Sequence, residues 1–181
     1  MAVRNFRHSL TLLAAVVGLW SATASAQEPA LPGGATSLRE VHGDWVVNCA
    51  VTGQGEAARK ICTLSQEQHD GKSGQRIIAM ELHPAAPAST ATLFLPFGLD
   101  LAAGATMQVD EIAQKQQMPF RTCLPAGCVI TTNIDAKMLA SMRSGTALKI
   151  QAKADGGKET IFSISLKGFG GAFDRTASLA K

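Results

Sequence analysis

The sequence predicts a mainly β domain: a single antiparallel β-sandwich or flattened barrel with one short helix and two disulfides, each inside a hairpin. Three observations carry that expectation. Short runs alternate apolar and polar residues with period two, and Gly-, Pro- or Asp-containing turns separate them. One stretch alone, after Asn133-Ile134-Asp135, repeats its apolar residues at helical spacing. Four cysteines fall as two pairs that hairpin pairing would set face to face.

The chain of 181 residues opens with a different kind of segment. Arg4, Arg7 and His8 form a basic start, Leu10 to Trp20 an apolar run, and Ala24-Ser25-Ala26 a small-residue cleavage site before Gln27, the pattern of an export signal over residues 1–26. The apolar run is too short for an uncleaved bilayer span. No later stretch is apolar for long enough to cross either, so the expected mature protein is soluble outside the cytoplasm, periplasmic or secreted. The signal takes two of the 17 basic residues and none of the 14 acids, leaving a mature net charge of +1. That balance offers no electrostatic footprint for nucleic acid or an anionic membrane.

Residues 27–40, with Pro29, Pro32, Gly33 and Gly34, read as a flexible leader, and residues 41–175 as the β domain. Its anchor is Trp45-Val46-Val47-Asn48-Cys49, with Trp45, Val47 and Cys49 on one face. The run Ile61 to Ser65 carries Cys62 on the matching face. Antiparallel pairing of the two brings Cys49 to Cys62 beside the one Trp outside the signal. Gln66 to Gln75 is polar and turns at Asp70-Gly71 and Ser73-Gly74. Arg76 to His83 is a half-buried strand with Ile78, Met80 and Leu82 inward. The most apolar stretch, Thr90 to Leu101, is interrupted by Pro96 and Gly98 and predicts two short strands joined by a bend. Met107 and Val109 mark the next strand, and Gln114 to Gln117 a polar connector. Met118 to Thr131 forms a second hairpin around Cys123-Leu124-Pro125-Ala126-Gly127-Cys128, where Pro125 pre-sets φ and Gly127 can take φ > 0. The helix follows over Ala136 to Arg143, with Met138, Leu139 and Met142 on one face and Gly145 as an αL cap. Ala147 to Ala154 and Thr160 to Leu166 form a last hairpin about Asp155-Gly156-Gly157-Lys158. The C-terminal tail, residues 176–181 at its end, holds Phe169 and Phe173 upstream at i,i+4, a helical turn that could dock on the sheet.

The residues name no chemistry. An exported chain meets an oxidising compartment, so Cys49–Cys62 and Cys123–Cys128 are expected as disulfides. Zinc ranks behind because C-x12-C and C-x4-C lack the paired C-x2-C ends of zinc sites, and a redox dithiol has two intervening residues rather than four. His42, His69 and His83 are widely spaced. Asp44 and Asp100 form a conceivable acid–base pair, against the plainer reading of a turn residue and a solvated one. No catalytic, cofactor-binding or metal residues are assigned. The Leu93–Leu101 run reads first as core. Its functional reading is an exposed rim of Phe94, Pro96 and Phe97 that receives a partner.

Five blocks do carry a resemblance. Gly43-Asp44-Trp45-Val46-Val47-Asn48-Cys49, Cys62, Leu95-Pro96-Phe97-Gly98, Phe120-Arg121-Thr122-Cys123-Leu124-Pro125-Ala126-Gly127-Cys128 and Ser165-Leu166-Lys167-Gly168-Phe169 look like the invasion-associated locus B family of alphaproteobacteria, across about residues 38 to 175. Phe97 stands where that family would have an aliphatic residue. The resemblance implies an exported, disulfide-containing β domain, periplasmic or associated with the outer membrane, linked in pathogenic members to entry into host cells. It brings no catalytic residues with it. The expected function is therefore a non-enzymatic binding module acting on a protein or envelope component. A carrier of a small apolar ligand and a His/Asp/Ser hydrolase are the alternatives.

Overall fold

The computed structural model describes residues 30–112 and 115–181. The signal segment, the Ala26/Gln27 junction and the start of the leader lie outside the described residues. Two antiparallel sheets face one another. The first runs through β1 (Ser37–His42), β2 (Trp45–Thr52), β3 (Arg59–His69), β4 (Arg76–His83) and β5 (Ser89–Leu95), each beside the last. It then continues through β9 (Gly127–Ile134) to β8 (Thr122–Leu124). The second holds β6 (Ala105–Val109), β7 (Gln116–Met118), β10 (Ala147–Lys153) and β11 (Glu159–Ser165), in the spatial order β11-β10-β6-β7.

Alternation sets the core. Met80, Leu82, Leu93, Leu95 and Ile130 point from the large sheet toward Met107, Val109, Leu148, Ile150 and Ile164 of the small one, and all are essentially inaccessible. Each such side chain contributes roughly 1.5–3 kcal/mol of hydrophobic burial. Four strands cannot cover seven. Helix α2 (Phe169–Leu179) closes the remainder, packing on β1, β2 and β3, while α1 (Ala136–Ser144) lies against α2 and β6. Asp135 begins α1 by accepting the Met138 N–H at 2.7 Å, and Met138 and Met142 fill its buried face.

Both disulfides join directly opposed residues of neighbouring strands, Cys49 to Cys62 and Cys123 to Cys128, with Cα separations of 4.1 and 3.9 Å. The first pair sits within the core.

Several boundaries differ from the expectation. The leader is not loose throughout. Leu31 is buried, and Ser37–His42 pair along the whole of β1 with β2. Alternation failed to reveal β1 because its sheltered positions include Glu40 and His42, and Glu40 is held by Arg175 of α2 rather than by apolar neighbours. Among the described residues there are two α-helices, not one: the tail is helical to Leu179, with Thr176 and Leu179 buried. β3 runs on to His69, beyond the expected Ser65. The strand expected after Gly98 shrinks to one bridge, Leu99 to Ala154, while the polar connector contributes β7. Gly145 is extended (φ −83°, ψ 172°) rather than αL. A Cβ there would lie 2.3 Å from Val109 Cγ1, so close approach, and not handedness, requires the glycine.

Candidate interaction surface

At one corner of the large sheet, apolar side chains that the core has no room for gather on the outside. β5 delivers Leu93 and Leu95 inward and Phe94 outward. The chain then breaks at Pro96 and leaves Phe97 61% exposed, with Gly98 at φ +82° completing the bend. Beside this corner lie Ile77 at the start of β4 and the Pro125-Ala126-Gly127 turn of the β8–β9 hairpin. Between them is a depression of about 230 Å³. A neighbouring one of about 260 Å³ reaches past Arg76 and Ile77 to Asp70 and Ser73. Leu124, adjoining Pro125, is a further exposed apolar residue.

Three constraints fix this corner. The Cys123–Cys128 bond closes the hairpin beneath its turn. Gly127, at φ +124°, brings its backbone so near β5 that a Cβ would stand 2.5 Å from the Leu95 carbonyl oxygen. Arg76 places its guanidinium 5.7 Å from the centre of the Phe94 ring and donates from Nη2 to the Ala126 carbonyl, so one side chain binds β4, β5 and the turn. Asp70 orders the adjoining loop by accepting the Ser73 and Lys72 N–H groups and the Ser73 hydroxyl. Those donors, the Ser73 N–H foremost, hold its carboxyl below the ordinary value.

Of the expected rim, Pro96 and Phe97 line this surface, whereas Phe94 is half-buried beneath Arg76 and lines neither depression. Sequence reasoning missed Ile77, Leu124 and Arg76. The signal for Ile77 was present: Ile77-Ile78 breaks the alternation of β4 by putting isoleucine on both faces.

The polar candidates do not assemble. His42 lies 3.3 Å from Glu40, and His69 lies 3.7 Å from Glu67, on different strand ends. His83 is exposed at the end of β4. Asp100 accepts the Ala102 and Ala103 N–H groups in a turn, and Asp44 is exposed, its N–H donated to the Lys167 carbonyl. Among the described residues no three His, Cys, Asp or Glu side chains converge as a metal site, and no helix is long and apolar enough to cross a membrane. A depression of about 500 Å³ lies over the outer face of the small sheet, but its walls include Lys115, Gln117, Gln151, Lys153 and Glu159.

A second constellation organises the opposite flank. Trp45 is fully buried, donates its indole N–H to the Ser165 carbonyl at 2.9 Å, and meets the Phe169 ring edge-on with centroids 5.1 Å apart. The turn before Trp45 and the turn before α2 cross backbone on backbone. A Cβ on Gly168 would stand 2.1 Å from the His42 carbonyl oxygen, and one on Gly43 would stand 2.5 Å from that of Lys167. The family model described as Invasion associated locus B (IalB) protein matches residues 45–177, which run from this Trp into the last turn of α2. The chain belongs to the invasion associated locus B family.

Relatives agree. An invasion protein B homolog of Brucella abortus (strain 2308) is 40% identical over 159 residues, covering 87% of this chain and 89% of its own. Invasion protein B of Bartonella bacilliformis is 30% identical over 155 residues, covering 83% of this chain and 81% of its own. The crystal structure of invasion associated protein B from Bartonella henselae superimposes with a TM-score of 0.72 at 28% identity, over 79% of this chain and 97% of that one. Within the invasion associated locus B chain described here, the Gly-Asp-Trp and Lys-Gly-Phe blocks are two halves of one backbone crossing. The Cys-Leu-Pro-Ala-Gly-Cys block is the turn that carries the apolar corner.

Proposed function

We propose that this protein is an exported, non-enzymatic binding module of the bacterial envelope that engages a protein partner through the Pro96-Phe97 corner. The observation that supports it is an aromatic side chain 61% exposed on a corner held by a disulfide, a close-packed glycine and an arginine. Exposed apolar groups on a pre-ordered support bind without a large ordering cost, and aromatic anchors are the usual centres of such contacts. The two disulfides support an oxidising location, and the N-terminal signal pattern gives the route there. The relatives' names join them to invasion, which makes a host-surface protein one partner to test.

A photo-crosslinking residue at position 97 of the full exported chain tests the reading, with position 137, exposed on α1, as the control. A discrete protein adduct is expected from 97 and not from 137, and Ile77→Asp should abolish it. Equal adducts from both positions, or none from 97, would refute the proposal. The apolar-carrier alternative finds no support in a depression walled by lysines and amides.

A further inference from the structure

The two sheets have four edges, and three carry familiar protection against pairing with another chain. β7 and β8 are three residues long, and β1 contains Arg39, Glu40 and His42. β11 has none of these. It runs straight through Glu159-Thr160-Ile161-Phe162-Ser163-Ile164-Ser165, in unbroken register with β10, with one charge at its first residue, no proline and no bulge. Ile161 on this edge is 61% exposed.

The direction of its free backbone groups follows from one bond. The Leu166 N–H donates to the Thr146 carbonyl at 2.9 Å, straddling the Ser165–Ala147 pair. Ser165 therefore turns its own N–H and C=O away from β10. The buried Gln66 amide receives them there, accepting the Ser165 N–H at Oε1 and donating from Nε2 to its carbonyl, each at 2.9 Å. With period two, Ser163, Ile161 and Glu159 also turn their backbone groups outward. Among the described residues no backbone bond engages those of Ile161 or Ser163.

We propose that this edge pairs with β11 of a second copy, antiparallel about a two-fold axis at Ile161, so that the small sheets join into one. The register is limited at its C-terminal end. Centring on Ile161 sets it opposite its own copy and Glu159 opposite Ser163 of the other chain. Any shift toward the C-terminus would need Ser165, whose groups Gln66 has taken. The open run is symmetric about Ile161, no like charges oppose, and two exposed isoleucines cover each other. A single pair of edges makes a small interface, so the association is weak and appears at high protein concentration.

Cysteine substitution in the full chain reads the register directly. Residues opposed in a hydrogen-bonded antiparallel pair have Cα atoms about 5.5 Å apart, within disulfide reach. Ile161→Cys should therefore give a disulfide-linked dimer on mild oxidation. Ser163→Cys should not link to itself, because the two copies of position 163 lie about 13 Å apart in this register. A mixture of Glu159→Cys and Ser163→Cys chains should link to each other. Ile161→Lys, at an exposed site, should keep the wild-type circular dichroism and raise the dimer dissociation constant at least tenfold in sedimentation. Equal self-linking at 161 and 163, no linking at 161, or a 161 adduct only with a different envelope protein would each overturn self-pairing.

Discussion

Replacing Gln66 with leucine removes the side chain that joins the two sheets at their open flank. Gln66 is 3% exposed and makes two bonds to the Ser165 backbone, while its Oε1 also accepts from Gln68 Nε2 at 2.7 Å. Leucine keeps the volume and loses all three bonds. The Ser165 carbonyl still receives the Trp45 indole N–H, but the Ser165 N–H is left without a partner. A net hydrogen bond is worth about 1 kcal/mol and an orphaned donor costs about 1–3 kcal/mol, so Gln66→Leu should lower stability by about 2–3 kcal/mol. Trp45→Phe removes the other donor to the same carbonyl. Each single variant leaves that oxygen one donor and the double variant leaves none, so the pair should be worse than additive by about 1 kcal/mol. Urea unfolding followed by far-ultraviolet circular dichroism measures both, since indole fluorescence is lost with Trp45. A Gln66→Leu protein within about 0.5 kcal/mol of wild type, or a cycle that closes additively, would refute this account of the flank.

Other expectations follow from the same geometry. Gly168→Ala drives a Cβ into the His42 carbonyl where only backbone could move, and should cost more than about 4 kcal/mol, read as loss of a cooperative melting transition. Replacing Cys49 and Cys62 together should cost about 3 kcal/mol, and replacing Cys123 and Cys128 less because the closed loop is shorter; melting temperatures of the two double variants will rank them. Arg175 first, and then His42, hold the Glu40 carboxyl down at about 2, below its ordinary 4.5. Its contribution is therefore complete above about pH 4.5 and fades as pH falls toward 2. Both partners are about a third exposed, so it amounts to about 1 kcal/mol, and Glu40→Gln should flatten the acid limb of a stability–pH curve by that much.

What the sequence revealed was whatever repeats with a period or stands opposite itself. The β10–β11 hairpin alternates cleanly because it has one face on the core and one in water, and its residues could be assigned to faces without a structure. The cysteine pairs followed from hairpin register alone. β1 stayed hidden because Leu38 is the one apolar residue on its sheltered side, where Glu40 is held by a salt bridge to α2. α2 was read as one turn because Gly170 and Gly171 lower its intrinsic propensity; its length comes from Phe169, Phe173, Thr176 and Leu179 docking on the large sheet. The apolar corner was half legible. Pro96 and Phe97 announce a break in a hydrophobic run, but its neighbours Ile77 and Pro125 arrive from distant strands, and no local pattern foretells that meeting.

The crossing of Gly43 and Gly168 has a bearing on how the domain closes. The β2–β3 ribbon is a local hairpin, but its Trp45 meets the Phe169 ring only once the chain has travelled through both sheets and returned. A partly folded chain that holds the ribbon without α2 leaves one flank of the large sheet greasy and bare, an invitation to clumping. Removing α2 should thus leave not a smaller domain but one that never closes.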